Sequence, residues 1–372
     1  MKKVGILTFH RSYNCGSMMQ AYALQEVLKK LKLDPEIIDF STFEQQKVYR
    51  TWFPINSLRN IVKNILIAPH KSIIDMNNGK YQDFLNTCFA LSSEKFFNMA
   101  ELRDEKYDAI IAGSDQIWNI TIDDSDDAYF LPWVKNAKKI AYAPSFGARN
   151  IKKYTPDWFQ YASYIDSFEH VSIRENNGKK WIKDLIHKDV PVVLDPTLLL
   201  CAADYEKIVE TRIKTPEKYI FYYAPHYDND INILVKKISN KLRIPVIAFN
   251  AKGYYVKQLH RLGFSLPEFE NPAVYLRLIK DAELVITTSF HGTAFSSIFK
   301  KRFWTVKNGE MLGDDDRVKT LTDMLDLSDR VIPIYYEENF DYLKIKDYDI
   351  YSKKLEIKKE EALRYLQNAL TL

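Results

Sequence analysis

The residues best placed for chemistry lie in the segment Leu284-Val-Ile-Thr-Thr-Ser-Phe-His-Gly-Thr-Ala-Phe-Ser-Ser-Ile-Phe299. An apolar, β-branched run stops at Thr287-Thr288. A polar turn with Ser289, His291, Gly292 and Thr293 follows, and then an apolar periodicity suited to a helix. The spacing predicts strand, tight turn and helix, with a histidine in the turn. The first amides of a helix lack internal partners and stand at the positive end of its dipole, so a phosphate or carboxylate would be held there. His291 beside them could move a proton near neutral pH. A histidine in such a turn can equally cap the helix or bond a nearby carbonyl, and the segment alone leaves both roles open.

A second constellation is Gly113-Ser-Asp-Gln-Ile-Trp-Asn119, which follows the apolar run Ala109–Ala112. Ser114, Asp115, Gln116 and Trp118 suit carbohydrate recognition, with the indole plane against a sugar face and the polar groups on its hydroxyls. Asp115 could also accept a proton from an acceptor hydroxyl. The alternatives are a helix-capping Asp115 and a core Trp118. Upstream, in His10-Arg-Ser-Tyr-Asn-Cys-Gly-Ser17, Asn14 and Gly16 suit a tight turn and Ser17 suits a helix N-cap. Gln20 in the first helical turn either reaches a sugar hydroxyl or is ordinary helix surface. The dinucleotide fingerprint GxGxxG is absent. Ser145, in Pro144-Ser-Phe-Gly147, would complete the same acceptor cleft.

Two cations stand at further strand ends. Arg174 ends Ser172-Ile-Arg-Glu175 and could grip a phosphate or carboxylate bidentately, or pair with Glu175 or a neighbouring carboxylate. Lys307 follows Phe303–Val306 and either adds charge to the anion site or is solvated. Asp195-Pro196 reads mainly as a turn, and Arg317 after Asp314-Asp315-Asp316 as a local ion pair.

These residues need a scaffold, and the chain offers short apolar runs alternating with helical patterns, which point to parallel sheets flanked by helices. Strands are expected at Val4–Phe9, Glu36–Phe40, Ala109–Ala112, Lys139–Ala143, His170–Ile173 and Val190–Leu194. A second set is expected at Tyr219–Tyr223, Ile244–Phe249, Leu284–Thr287 and Phe303–Val306. The expected class is α/β, with two doubly wound Rossmann-like domains facing a cleft and a C-terminal helix. The expected units are residues 1–205, with a helical insertion about 43–107, residues 206–345, and a helix in 346–372 that could pack on either domain. Within the insertion, residues 51–67 are amphipathic: Leu58, Ile61, Val62, Ile65 and Leu66 share one face beside Arg59 and Lys63, with Trp52 and Phe53 before them. Such a face either packs on its own domain or rests on a membrane.

Composition narrows the class. The 372 residues are 46% hydrophobic and 27% charged, as in a soluble globular protein. A net charge of +4 without a dominant basic-aromatic run gives no case for nucleic acid. Cys15, Cys88 and Cys201 form no zinc spacing and fit a reducing compartment. The short N-terminal apolar run breaks at His10-Arg11, unlike a signal peptide, so a cytoplasmic protein is expected, with peripheral contact at the inner membrane face as an option.

The motifs together resemble the polysaccharide pyruvyltransferase family. The pieces occur in the family's order from Val4 to about Arg330: Asn14-Cys-Gly-Ser17 with Gln20-Ala-Tyr-Ala-Leu24, Gly113–Asn119, Tyr142–Gly147, Ser172–Glu175, Leu194-Asp-Pro-Thr197 and Ser289–Thr293. The resemblance implies a fold like the B-type glycosyltransferases and transfer of the enolpyruvyl group of phosphoenolpyruvate to two hydroxyls of a sugar in capsule, exopolysaccharide or cell-wall polymer synthesis. It implies no metal and no organic cofactor. The acceptor would be a sugar, a nucleotide-sugar or a lipid-linked oligosaccharide. It further implies His291 and Asp115 as catalytic residues. Arg174, Ser289, His291, Gly292, Thr293 and Lys307 would hold the donor. Asn14, Gly16, Ser17, Gln20, Ser114, Asp115, Gln116, Trp118 and Ser145 would hold the acceptor. The chain departs from the family pattern at Ser289-Phe290, where well-studied members have arginine and leucine, which shifts anion binding to Arg174 and Lys307. A nucleotide-sugar glycosyltransferase of the same fold and a non-catalytic sugar-binding protein of polymer assembly are the competing readings.

Overall fold

A computed structural model describes residues 1–307 and 314–371. The first sheet contains β1 (Lys3–Leu7), β2 (Asp34–Phe40), β3 (Leu91–Phe96), β4 (Ala109–Ala112), β5 (Lys138–Ala141) and β6 (His170–Val171), all parallel, in the order β3-β2-β1-β4-β5-β6. The second contains β7 (Ile220–Tyr223), β8 (Val246–Ala248), β9 (Leu284–Thr287), β10 (Phe303–Val306) and β11 (Val331–Ile332), again parallel, in the order β11-β10-β9-β7-β8. The α/β architecture of two doubly wound parallel sheets is therefore as expected. Strands such as β4, Ala-Ile-Ile-Ala, and β9, Leu-Val-Ile-Thr, are buried at every residue, as parallel strands covered on both faces must be.

The first half carries helices α1 (Cys15–Lys30), α2 (Phe43–Val48), α3 (Leu58–Ile67), α4 (Lys71–Cys88), α5 (Ile151–Tyr154), α6 (Trp158–Asp166), α7 (Asn176–Ile186) and α8 (Ala202–Glu206). The second carries α9 (Asn229–Leu242), α10 (Ala251–Val256), α11 (Pro272–Asp281), α12 (Phe290–Ile298) and α13 (Arg317–Met324), and α14 (Asp349–Leu370) follows. One continuous apolar core joins α1 and the inner face of the first sheet to α11, α12 and α14. Separate cores cover the outer face of each sheet. Helix α14 spans both halves: Tyr351 bonds Ser297 at 3.0 Å, and Tyr365 bonds the Ala141 carbonyl at 3.0 Å.

Three elements differ from the sequence reading. Residues 190–194 pair only through an Ile173–Val192 bridge, because Pro191 has no N–H to extend a ladder. The insertion is not all helical, since its end returns to the sheet edge as β3, whose polar, largely exposed face hides the apolar signal of a strand. Helix α1 starts at Cys15, capped by Asn14 rather than Ser17: Asn14 Oδ1 accepts from Gly16 N at 2.9 Å and Ser17 N at 3.4 Å. Among the described residues no helix is long and apolar enough to cross a membrane.

Strand order reverses between β1 and β4 in the first sheet and between β7 and β9 in the second. The crevices at the carboxyl ends of such strands are where open α/β sheets bind ligands. The turns after β1, β4 and β9 hold Asn14–Ser17, Gly113–Trp118 and Ser289–Thr293.

Candidate functional site

The turn after β4 is shaped by its backbone. Gly113 has φ +127°, and a Cβ there would lie 2.1 Å from the Tyr142 carbonyl oxygen, so only glycine fits. Asp115 has φ +72°, a left-handed conformation that costs a non-glycine residue about 1 kcal/mol or more. The turn is welded to its neighbours by buried polar groups. Gln20 donates to Thr8 Oγ1 at 2.8 Å and to Ser17 O at 2.9 Å, and accepts from Ser114 N at 2.9 Å. Ser114 Oγ donates to Ala143 O at 2.6 Å, and Ser145 Oγ accepts from Gly147 N at 3.0 Å.

These contacts correct part of the expected acceptor set. Gln20, Ser114 and Ser145 are buried and satisfied within the protein, so they build the turn rather than face a sugar. Trp118 has 0% exposure and is enclosed by Phe130, Phe146 and Phe168, with ring centroids 5.6, 5.5 and 5.7 Å away, so it offers no open face. The core reading of this indole is the one the structure bears out. Gln116 is half-buried, with its carbonyl accepting from Asn119 at 3.3 Å. Asn14 and Ser17 serve the start of α1.

The centre of the constellation is Asp195, which the sequence presented as a turn residue. Its Oδ1 accepts from Thr197 N at 3.0 Å and Thr197 Oγ1 at 2.7 Å, the turn role that was expected. Its Oδ2 accepts from Arg174 Nη1 at 2.9 Å, lies 3.1 Å from Ser114 Oγ, and faces His291 Nε2 at 3.5 Å. Burial works to raise this carboxyl, but the nearby His291, the charge of Arg174 and the Thr197 amide bond prevail and hold it well below the usual carboxylate range. Arg174 is itself buried, with its guanidinium 4.4 Å above the Phe290 ring and Nη2 3.7 Å from Asp115 Oδ1. Its Nε has no partner among the described residues.

His291 reaches this cluster from the other half of the molecule. Ser289 caps α12 by accepting from Gly292 N at 3.3 Å, and Thr293 N bonds the Ser289 carbonyl at 3.0 Å. Those two amides are thus already engaged. Thr293 Oγ1 is buried on Ser289 O and Thr305 Oγ1, which removes Gly292 and Thr293 from the expected anion cradle. The imidazole lies against Gly16 at the start of α1, where a Cβ would sit 2.2 Å from Nδ1. The motif glycine of one half therefore seats the histidine of the other.

Two further charged groups complete the surroundings. Glu175 is fully buried and accepts from Phe146 N at 2.9 Å through Oε1, while Oε2 has no partner among the described residues; burial, only partly offset by Arg174, pushes its carboxyl up to about 7. Arg317 grips Asp315 at 2.8 and 2.5 Å, the local ion pair expected of it, yet it also lies within the fields of Glu175 and Asp115. Helices α7 and α13 meet there, with Asn177 N donating to Asp316 at 2.9 Å and Asn176 N to Thr320 Oγ1 at 3.2 Å. Lys307 is exposed at the end of β10, and its ammonium makes no contact with the cluster among the described residues. The structure thus brings Asp115, Arg174 and His291 together. It adds Asp195 and Glu175, which the sequence showed as members of the motifs Leu194–Thr197 and Ser172–Glu175 without a site role, and Arg317, whose only signal was its position at a helix start.

The chain's similarities agree with its motifs. Residues 14–310 match the model of the polysaccharide pyruvyl transferase family. Among solved structures, a Neisseria meningitidis UDP-GlcNAc 2-epimerase bound to UDP-GlcNAc is similar at 13% identity, with 99% of this chain and 100% of that chain covered and a TM-score of 0.49. S. aureus MnaA with UDP gives 12% identity, coverage of 100% and 98%, and 0.49. The E. coli heptosyltransferase WaaC with ADP-2-deoxy-2-fluoro heptose gives 13%, 82% and 89%, and 0.38. No curated protein sequence matches the chain. A family match over most of the chain, with its motifs gathered around one buried Asp–Arg–His cluster, makes this protein a transferase of the polysaccharide pyruvyl transferase family.

Proposed function

We propose that the enzyme transfers the enolpyruvyl group of phosphoenolpyruvate to two hydroxyls of a sugar in a cell-surface polysaccharide or its precursor, such as capsule or exopolysaccharide. The observation that supports this best is the convergence of Arg174 and His291 from opposite halves on one carboxylate, Asp195. Arg174, whose Nε has no partner among the described residues, and Arg317 supply positive charge for the donor, while Lys307 stands outside the cluster. His291, oriented by Asp195 and Gly16, donates a proton to the methylene carbon of the donor. The resulting cationic carbon is attacked by one sugar hydroxyl, whose proton passes to Asp115. The C–O bond to phosphate then breaks, inorganic phosphate leaves carrying the proton held by Asp115, and the second hydroxyl closes the ketal while its proton returns to His291. Each turnover converts one enol phosphate and two O–H bonds into a ketal, a methyl group and free phosphate.

Calorimetric titration with phosphoenolpyruvate, with nucleotide sugars as comparison, tests the donor. Saturable binding that is lost in both His291→Ala and Arg174→Ala is expected. Preference for a nucleotide sugar would assign a different donor.

The same reading includes peripheral membrane contact. Leu58, Val62 and Ile65 on α3 and Ile55 before it are exposed at 82, 55, 66 and 80%, beside exposed Arg59 and half-buried Lys63. The other end of the helix is anchored, with Ile67 buried beside Ile74 and Ala251. An apolar face rimmed by cations suits an anionic lipid surface.

A further inference from the structure

A cavity lies apart from the Asp195 cluster. It lies at the carboxyl ends of β1, β2 and β3, under α2 and α4, and has a volume of about 530 Å³. Its residues belong to none of the motifs that identify the family. Four aromatic rings line it, Tyr13, Tyr49, Phe96 and Phe97, and the amides of Gln46 and Gln82 stand among them. Rings for sugar faces and amides for hydroxyls are what Trp118, Gln20 and Ser145 cannot supply from the core.

The charge of the cavity is distinctive. Arg11, Arg50 and Lys95 face a single carboxylate, Asp39. That carboxylate is already taken: Arg11 Nη2 lies 2.6 Å from Oδ2, Arg11 Nε also bonds Oδ1, and buried His10 bonds Oδ1 at 3.1 Å. Burial alone would raise the Asp39 carboxyl, but the hydrogen bonds of Arg11 and His10 hold it well below the usual range. Arg50 and Lys95 are exposed side chains with no ion-pair partner among the described residues. The cavity therefore presents uncompensated positive charge to whatever enters.

A second recess adjoins the cavity. Tyr49 is shared with a narrower recess that runs past Ser12 to Asp124 and Tyr129. Its hydroxyl bonds Asp124, and its proton is held on by burial first and then by the charges of Asp124 and Asp115. At the opposite end, Arg50 and Thr51 of the cavity wall run directly into Trp52 and the exposed apolar stretch 55–65.

From this we infer that the cavity is the acceptor site, and that the acceptor is an anionic glycosyl phosphate or diphosphate, its sugar stacked among Tyr13, Tyr49 and Phe97 and its phosphate held by Arg50 and Lys95. The inference rests on the pyruvyl-transfer reading only for the word acceptor; the ligand chemistry stands on the cavity alone. The phosphate could come from a nucleotide sugar or from a polyprenyl-linked one, since the recognised group is common to both.

The test titrates glucose 1-phosphate, inorganic pyrophosphate, UDP-glucose and polyprenyl diphosphate glucose in phosphatidylglycerol vesicles against the full chain, alongside phosphoenolpyruvate. Wild type is expected to bind pyrophosphate and at least one glycosyl phosphate. An R50A/K95A variant should weaken that binding about tenfold or more with phosphoenolpyruvate binding unchanged. Tightening by the uridine moiety assigns a nucleotide-linked acceptor, and tightening by the polyprenyl chain a lipid-linked one. No binding of any phosphate ligand to wild type, or equal binding by the double variant, overturns the proposal. Loss of phosphoenolpyruvate binding in the double variant would overturn it too, by making the cavity the donor site. Glycosyl phosphate binding without phosphoenolpyruvate binding would leave the cavity assignment standing and remove the pyruvyl-transfer reading instead.

Discussion

Replacing Gly16 by alanine should disable the site while leaving the fold largely intact. An added Cβ would lie 2.2 Å from His291 Nδ1, 2.6 Å from Cγ and 3.0 Å from Cβ. Ordinary carbon contacts begin near ~3.5 Å, so the imidazole must retreat by more than ~1 Å. It cannot do so and keep Nε2 opposite Asp195, a contact already stretched to 3.5 Å. Alanine gains up to about 1 kcal/mol of helix propensity over glycine, but overpacking of a buried site costs about 1–3 kcal/mol, so a modest net destabilisation is expected. The larger effect is kinetic, because a misplacement of about 1 Å in a reacting group can cost about 100-fold in rate. Phosphate release from phosphoenolpyruvate in the presence of acceptor, measured with urea unfolding on the same preparations, reads both quantities. Gly79→Ala on α4 is the control: a Cβ there meets nothing within 4 Å, so activity should be unchanged and stability equal or higher by up to about 1 kcal/mol. Wild-type turnover by Gly16→Ala would refute the argument that the histidine is seated against α1.

Glu175 makes stability fall with rising pH. Its folded value of about 7 against 4.5 in the free side chain means that the folded state keeps a proton the unfolded state has lost, so its contribution of about 3 kcal/mol is present below pH 4.5 and disappears toward pH 7. Denaturant titrations at pH 5 and 7.5 should therefore show a gap that narrows in Glu175→Gln; an unchanged gap would mean that another group is responsible. Asp195→Asn should have the opposite reach. The depressed carboxylate contributes stability above its unfolded value that is lost as acid protonates it, and removing it from beside buried Arg174 should cost about 3–5 kcal/mol at neutral pH, read by thermal unfolding. Trp118→Ala should lose about 3–5 kcal/mol of stability as a core truncation, whereas a selective rise in acceptor KM with a stable fold would reinstate it as a sugar contact. V62D/I65D on α3 should reduce cosedimentation with phosphatidylglycerol vesicles about tenfold or more with unchanged unfolding, and equal sedimentation would remove the membrane contact.

The sequence alone determined the alternation of strand and helix, because parallel strands covered on both faces must be continuous apolar runs and helices beside them must be periodic. It located the turns after β1, β4 and β9, where glycine, asparagine and serine signal a chain that stops pairing and begins to coil. The edge strand β3 escaped notice because a strand with one partner buries little of its length, and 190–194 read as a strand because a proline's missing N–H does not lower an apolar count. Only the tertiary structure decided what each turn residue does. Trp118 and Gln20 have types that suit a sugar, but the layer above the sheet closes over them, and burial is a property of neighbours distant in the chain. Asp195 caps its own turn, as its sequence predicts, through one oxygen; the other is claimed by Arg174 and faced by His291, which the fold delivers from two different sheets. The polar cavity near Tyr49 left no pattern to read, because its walls come from three strand ends and two insertion helices that meet only when the chain is folded.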